Sequence, residues 1–342
     1  MKITKILVAL SFLFAAVTAN AGTLTVTGNM EFNYISKGEV TTGNPLSTQR
    51  ELKFAGSTEL DNGITVSYFQ DTTDAFGAGD AQLAFGNIMG LATIYIGSDS
   101  DPTDNIDDIT PSAYEEANGS GSGSYTAGWD IGGNQGEMGI GVKLSLPILG
   151  ALDAKYYPKV DGDKNEDGTT SGDTNASVGS AYGVTLTTDM GNIPGVGGLL
   201  QGLVLTTGVE ETEVATAAKT ADDLGLTAAL NYTYGPIKVG YQKKFHDLGQ
   251  TTTAAAAQTI YRDDVIGIAY AINDSVSISF NRYTSKKSND TAANVEQETD
   301  AINLGYVVGG MTIGFQDAST DNSGWTLNKK ADSRTVGISV AF

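Results

Sequence analysis

The residues with chemical potential in this chain are acids. Its 342 residues include 40 Asp or Glu against 20 Lys or Arg, one histidine and no cysteine. From Phe54 to Val142 there are fourteen acids and no basic residue. The densest part, 99–134, carries Asp99, Asp101, Asp104, Asp107, Asp108, Glu115, Glu116 and Asp130. Carboxylates gathered in a confined aqueous space focus the field and enrich cations; on an open loop they only keep it solvated. A second acidic group, Asp163, Asn165 and Asp167 before Gly168, has Asp161 and Asp173 around it. It spaces oxygen ligands as a calcium loop does. The twelfth position from Asp163 is Thr174, so the bidentate glutamate of that motif is missing. Calcium is a candidate ligand there and at the acids of 99–116, with a solvated acidic loop as the alternative. No cofactor is required.

Other chemistries are poorly supplied. The absence of cysteine removes disulfides, thiolate metal sites and cysteine nucleophiles together. His246 is the only histidine, no G-x-S-x-G elbow accompanies it, and no Gly-rich loop precedes a helix to cradle a phosphate. An enzyme is therefore not expected. The net charge of −20 repels nucleic acid.

The elements that must position the acids are strands. Lys2 and Lys5 precede an apolar run from Ile6 to Val17, and Ala19-Asn20-Ala21 follows. That is the layout of a signal peptide over 1–21, too short to span a bilayer as a helix. The mature chain is then 22–342. In it Leu24, Val26, Met30, Phe32 and Tyr34 alternate with Thr25, Thr27, Asn29, Glu31 and Asn33, the period-two signature of a strand with one apolar and one polar side. The chain holds about sixteen such segments in all, the others clearest at 64–71, 137–146, 182–190, 224–234, 237–246, 265–272, 276–283 and 302–308. Their connections alternate in length. Asp61-Asn62-Gly63, Met89-Gly90, Pro147, Gly235-Pro236, Asn273-Asp274 and Gly309-Gly310 mark tight turns, and only the turn near 192–198 is longer. Long polar connections fall at 36–47, 72–79, 99–134, 159–179, 211–221, 248–259, 286–296 and 319–333. An antiparallel meander sorted in this way predicts a transmembrane β-barrel with short periplasmic turns and long extracellular loops. A secreted β-rich adhesin or surface-layer protein is the distant alternative.

Several segments resemble the Gram-negative general diffusion porins, in particular the alphaproteobacterial type. They are Leu52-Lys53-Phe54-Ala55-Gly56 through Asn62-Gly63, Lys143-Leu144-Ser145-Leu146-Pro147-Ile148-Leu149-Gly150, Gly267-Ile268-Ala269-Tyr270-Ala271-Ile272-Asn273-Asp274, and the terminal Phe342. The resemblance spans essentially the whole mature chain. It implies an all-β fold: a sixteen-stranded antiparallel barrel in the outer membrane, a homotrimer, with the third long loop folded into the lumen. The segment 99–134 falls in the slot of that constriction loop, with Gly119–Gly123 and Ser124 as a bend.

Porins usually face this loop with a basic ladder. Here the fifth strand offers Tyr95 and Ser98 instead, and phase places Lys53, Lys143 and Lys155 inward, so a reduced ladder is expected. The function implied is passive diffusion of small hydrophilic solutes, with cations preferred; a substrate-specific channel is the near alternative. Outer-membrane lipid is the expected surrounding, and Tyr34, Tyr68, Tyr241 and Phe342 are candidates for interfacial girdles.

Overall fold

The structure, a computed structural model, describes residues 22–37, 44–72, 78–98, 101–117, 138–158, 178–214, 222–249, 259–288 and 295–342. The signal segment 1–21, Asp99, the bend at 119–124, Asp130 and the candidate calcium ligands Asp163, Asn165 and Asp167 lie outside the described residues.

Sixteen strands close into one antiparallel barrel, each paired with its neighbours in sequence and the last with the first. They are β1 (Thr23–Lys37), β2 (Leu46–Glu59), β3 (Thr65–Thr72), β4 (Ala78–Ile88), β5 (Ala92–Gly97), β6 (Gly139–Leu146), β7 (Gly150–Tyr157), β8 (Val178–Asp189), β9 (Leu203–Val214), β10 (Asp223–Tyr234), β11 (Ile237–Asp247), β12 (Ile260–Ala271), β13 (Val276–Ser288), β14 (Glu296–Val308), β15 (Met311–Asp321) and β16 (Lys330–Ala341). Closure leaves no sheet edge to pair with another chain. At the seam Phe32 faces Ile338, and the Phe342 amide donates to the Gly28 carbonyl at 3.0 Å.

The tight turns form where turn chemistry predicts them. Gly63 adopts φ +80°, which a side chain would resist, and the Asn62 side chain accepts from the Ile64 amide at 3.2 Å. The longer connection after β8 contains two 3₁₀ turns, Met190–Asn192 and Gly197–Leu199.

The period-two alternation places polar residues inside and apolar residues outside, the reverse of a water-soluble protein. Gln242, Asn281, Gln297, Thr299, Asn303, Gln316 and Thr320 are buried on the inner face. Ile266, Ile268, Tyr270, Ile302, Leu304, Val336, Ile338 and Val340 stand exposed on the outer one. Tyr34, Tyr68, Tyr241 and Phe342 are exposed as well. So much large apolar surface is untenable in water and fits a lipid surround.

The strands outrun the segments read from alternation. β12 begins at Ile260 rather than at Val265, β13 continues to Ser288, and β14 begins at Glu296 rather than at Ile302. The long connection expected over 319–333 shrinks to the residues between Asp321 and Lys330. The reason is a second outer zone, toward the long-loop end, where charges replace the apolar side chains. Lys243 pairs with Asp264 at 2.8 Å, Arg282 with Asp300 at 2.6 Å, Lys286 with Glu296 at 2.7 Å and Lys330 with Asp321 at 2.8 Å. These cross-strand pairs continue the ladder but break the apolar alternation. Each is solvent-exposed and contributes at most about 1 kcal/mol.

Candidate functional site: a loop clamped inside the barrel

The chain that leaves β5 does not stay at the barrel rim. Residues 101–114 run along the inner wall from β8 across to β1. The Thr103 Oγ1 lies 2.6 Å from Asp101 Oδ1 and 2.6 Å from Glu210 Oε2 on β9. A single 3₁₀ turn, Asp104–Ile106, follows. Beyond it, inner-wall amides take over. Gln242 on β11 donates to the Ile106 carbonyl at 2.7 Å and accepts from the Ile109 amide at 3.3 Å. Asn231 on β10 donates to the Ile109 carbonyl at 2.9 Å, and Asn281 on β13 to the Pro111 carbonyl at 3.0 Å. The Ala113 amide donates to Ser279 Oγ at 2.9 Å. Tyr114 reaches β1, where its hydroxyl donates to Asn33 Oδ1 at 3.1 Å.

The loop then doubles back. Thr110 Oγ1 donates to Glu116 Oε1 at 2.7 Å and Ser112 Oγ to the Glu115 carbonyl at 2.8 Å, which closes the bend. Gln316 on β15 donates to the Glu115 carbonyl and to Asn303 Oδ1, both at 3.0 Å. Ala117 ends fully buried among Val265, Tyr283, Ala301 and Ala318. Burial away from water gives each amide clamp a net worth of about 1 kcal/mol, and leaving a partner unpaired costs about 1–3 kcal/mol.

The predicted acids are thus gathered, but unequally. Asp101 is completely buried at the start of the loop, beside the inner-wall tyrosine Tyr157. Asp104 opens the 3₁₀ turn, Asp107 and Asp108 follow it, and Glu115 and Glu116 sit in the closed bend. Burial pushes the Asp107 carboxyl up to about 7; Lys244 pulls against this while Asp108 and Asp104 add to it. Burial likewise raises Glu116 to about 7, with the Thr110 hydrogen bond and Lys244 opposing and Asp108 adding. Glu115 is raised by burial and by the neighbouring Glu31 and Asp108. Among the described residues no group of three or more His, Asp or Glu is disposed to hold a metal ion.

The wall residues read from phase lie on β2, β5, β6 and β7. Lys53 Nζ stands 3.6 Å from the centroid of the Phe69 ring. Tyr95 donates to Asp153 at 2.7 Å, and Lys143 lies 3.5 Å from the same carboxylate. Lys155 is buried, with its ammonium 4.6 Å from the Tyr157 ring centroid. The cation that acts on Asp107 and Glu116 is another residue, Lys244 on β11, more than a hundred positions downstream. It sits on the polar phase of its strand with Gln242 and His246, so alternation shows it facing inward, but nothing local marks it as a partner of the loop.

Comparison with solved structures finds the same architecture. The anion-selective porin from Comamonas acidovorans is 14% identical over 94% of this chain and 100% of its own, with a TM-score of 0.67. OmpT, an outer membrane protein of Vibrio cholerae described in a trimer form, is 11% identical over the same shares, with a TM-score of 0.66. A mutant of the Rh. blastica porin is 16% identical over the same shares, with a TM-score of 0.60. No family model and no curated protein matches the chain in sequence. The fold is therefore that of a sixteen-stranded bacterial porin barrel.

Proposed function

We propose that the protein is an outer-membrane channel for passive diffusion of small hydrophilic solutes, and that it prefers cations. The observation that carries this reading is a closed barrel, polar within and apolar without, whose third long loop is clamped along the inner wall and presents carboxylates. A barrel of this strand number encloses water rather than a packed core. Transport down a gradient needs no covalent chemistry and no energy coupling.

The fold itself carries no selectivity, since the Comamonas acidovorans neighbour is described as anion-selective. The preference for cations rests on charge. Asp104, Asp107, Asp108, Glu115 and Glu116 occupy the loop without a basic residue among them, and rings of carboxylates favour cations. Lys53, Lys143 and Lys155 on the opposite wall form the reduced counter-ladder. The trimer form of the V. cholerae neighbour supports a homotrimer here. A signal peptide over 1–21 would direct the chain out of the cytoplasm.

Liposome swelling tests the reading. Sugars of increasing size should enter at rates that fall smoothly with size and do not saturate. Flux of one solute that saturates while the others are excluded would favour the substrate-specific channel, and the absence of swelling would reject both. Recovery of the protein in a soluble secreted fraction would favour the adhesin.

A further inference from the structure

We propose that a row of inward-facing glycines is the seat of the loop, that its lack of side chains sets the loop's distance from the wall, and that it thereby sets the free cross-section of the pore. The inference rests on the channel reading for its consequence and on geometry alone for the seat. Gly267 on β12 pairs with Gly240 on β11. Three strands on, Gly305, Gly314 and Gly337 pair in succession across β14, β15 and β16. Each lies where the loop passes. A Cβ added at Gly267 would stand 2.6 Å from the Pro111 carbonyl oxygen. At Gly240 and Gly305 an added Cβ would fall within 3.0 Å of Pro111 Cδ and of the Ala113 carbonyl oxygen. At Gly314 and Gly337 it would meet the Tyr114 ring and hydroxyl at comparable range. Nearer the start of the loop, Gly208 on β9 would meet Ile106 Cδ1 at 2.7 Å.

Real side-chain carbons do not approach other atoms so closely, and ordinary contact begins near 3.4 Å. An alanine at Gly267 therefore requires the Pro111 oxygen to retreat by at least 0.4 Å, and by 0.8 Å to restore ordinary contact. The barrel wall behind the glycine is a hydrogen-bonded ladder on both sides, so the loop is the part that yields, and the lumen is the open direction. Two of the amide clamps occupy the same tracks, two residues from a seat glycine, in Gly240-Tyr241-Gln242 and Gly314-Phe315-Gln316. Glycine admits the loop and the neighbouring amide holds it. The two kinds of contact separate this role from a general demand for small residues. At Gly267 the obstructing atom is backbone and cannot be trimmed, whereas at Gly314 it is the Tyr114 side chain.

Single-channel conductance of the full-length protein in planar bilayers tests the seat, with folding checked by heat-modifiable mobility. Gly267→Ala should lower conductance roughly 1.5-fold and Gly267→Val roughly threefold, because overpacked neighbours must shift and the pore narrows. Gly314→Ala should lower it as well, and Tyr114→Ala should cancel that loss while leaving the Gly267→Ala loss in place. Gly56→Ala on β2, where the nearest atom would be 3.7 Å away, should change nothing. Wild-type conductance in folded Gly267→Val and Gly314→Ala would overturn the inference. A wild type without conducting steps would instead reject the channel reading.

A second measurement is independent of conduction. The Ala113 amide donates to Ser279 Oγ at 2.9 Å, and an added Cβ at Gly305 would meet the Ala113 carbonyl oxygen. Hydrogen exchange of the Ala113 amide should be slow in the wild type and faster in Gly305→Ala. Unchanged exchange in the folded variant would overturn the seat.

Discussion

The inner wall of this barrel has two unlike halves. From β8 to β16 it is lined with glycines, asparagines and glutamines, and the loop 101–117 lies against it. From β2 to β7 it carries Lys53, Tyr95, Lys143 and Lys155, and among the described residues only the start of the loop, Asp101, reaches it, beside Tyr157 on β7. The covered half uses neutral donors to hold a segment rich in carboxylates, so the loop is fixed largely through its backbone; of its acids Asp108 is exposed, Asp104, Asp107 and Glu115 are half-buried, and Asp101 and Glu116 are buried. Lys244 is the exception, a buried cation beneath Asp107 and Glu116. On the β2–β7 half Lys143 pairs with Asp153, and Lys53 and Lys155 stand over the Phe69 and Tyr157 rings. Position and charge are thus supplied separately: the covered wall determines where the acids stand, and the acids determine which ions pass.

Removing the charge from the covered half should have the largest effect. Converting Asp107, Asp108, Glu115 and Glu116 to their amides together should lower the cation-to-anion permeability ratio roughly tenfold, read as a reversal potential in a KCl gradient. Conductance should change less, since the amide clamps reach backbone atoms that these changes keep.

Acidity should act on the same half. Asp107 and Glu116 are both raised by burial to about 7, so they are neutral in acid and become charged as pH rises through about 7. Cation preference should grow over that window. The loop's attachment should follow the opposite course. A carboxyl whose folded pKa is raised contributes its stability fully below its ordinary pKa near 4, and loses that contribution as pH rises through about 7. Protease cleavage within 101–117 should therefore be slowest at pH 4 and faster at pH 9. Cleavage independent of pH would show that these two groups do not govern the seating.

A single clamp is worth less. Gln242→Ala strands the Ile106 carbonyl and the Ile109 amide, at a local cost of about 1–3 kcal/mol. Hydrogen exchange of the loop amides should accelerate, while the strand amides of β11 stay protected. The smallest effect belongs to the β2–β7 half. Lys143→Met removes an ion pair that is half-exposed on the lysine side, worth at most about 1 kcal/mol. It should leave thermal stability unchanged and shift selectivity slightly further toward cations.

The barrel was legible because two regularities reinforce each other. Alternation over segments such as 24–34 identifies strands, and the parity of connection lengths identifies their up-and-down order. Phase puts Lys53 and Lys155 on the side of their strands opposite the exposed Phe54 and Tyr156. Strand ends were misread wherever the outer face changes from apolar to charged, as at Arg262 and Asp264 or at Glu296, Glu298 and Asp300. Periodicity in hydropathy vanishes there, although the ladder does not.

The acids of the loop were visible as a basic-residue desert, but their seat was not. Gly267 and Gly305 look like ordinary strand glycines until the register brings them beneath Pro111 and Ala113, some 150 to 190 residues earlier in the chain. Gln242, Asn281 and Gln316 read simply as polar-phase residues for the same reason. One signal was available: Gly-x-Gln on the inward phase, repeated in β11 and β15.

The most direct test of the central claim is a paired reversal-potential measurement in a KCl gradient, on the wild type and on the fourfold amide variant at pH 8. The account predicts discrete conducting steps in both, a cation-side potential in the wild type, and a potential close to zero in the variant. An anion-side potential in the wild type, or equal potentials in the two proteins, would contradict it.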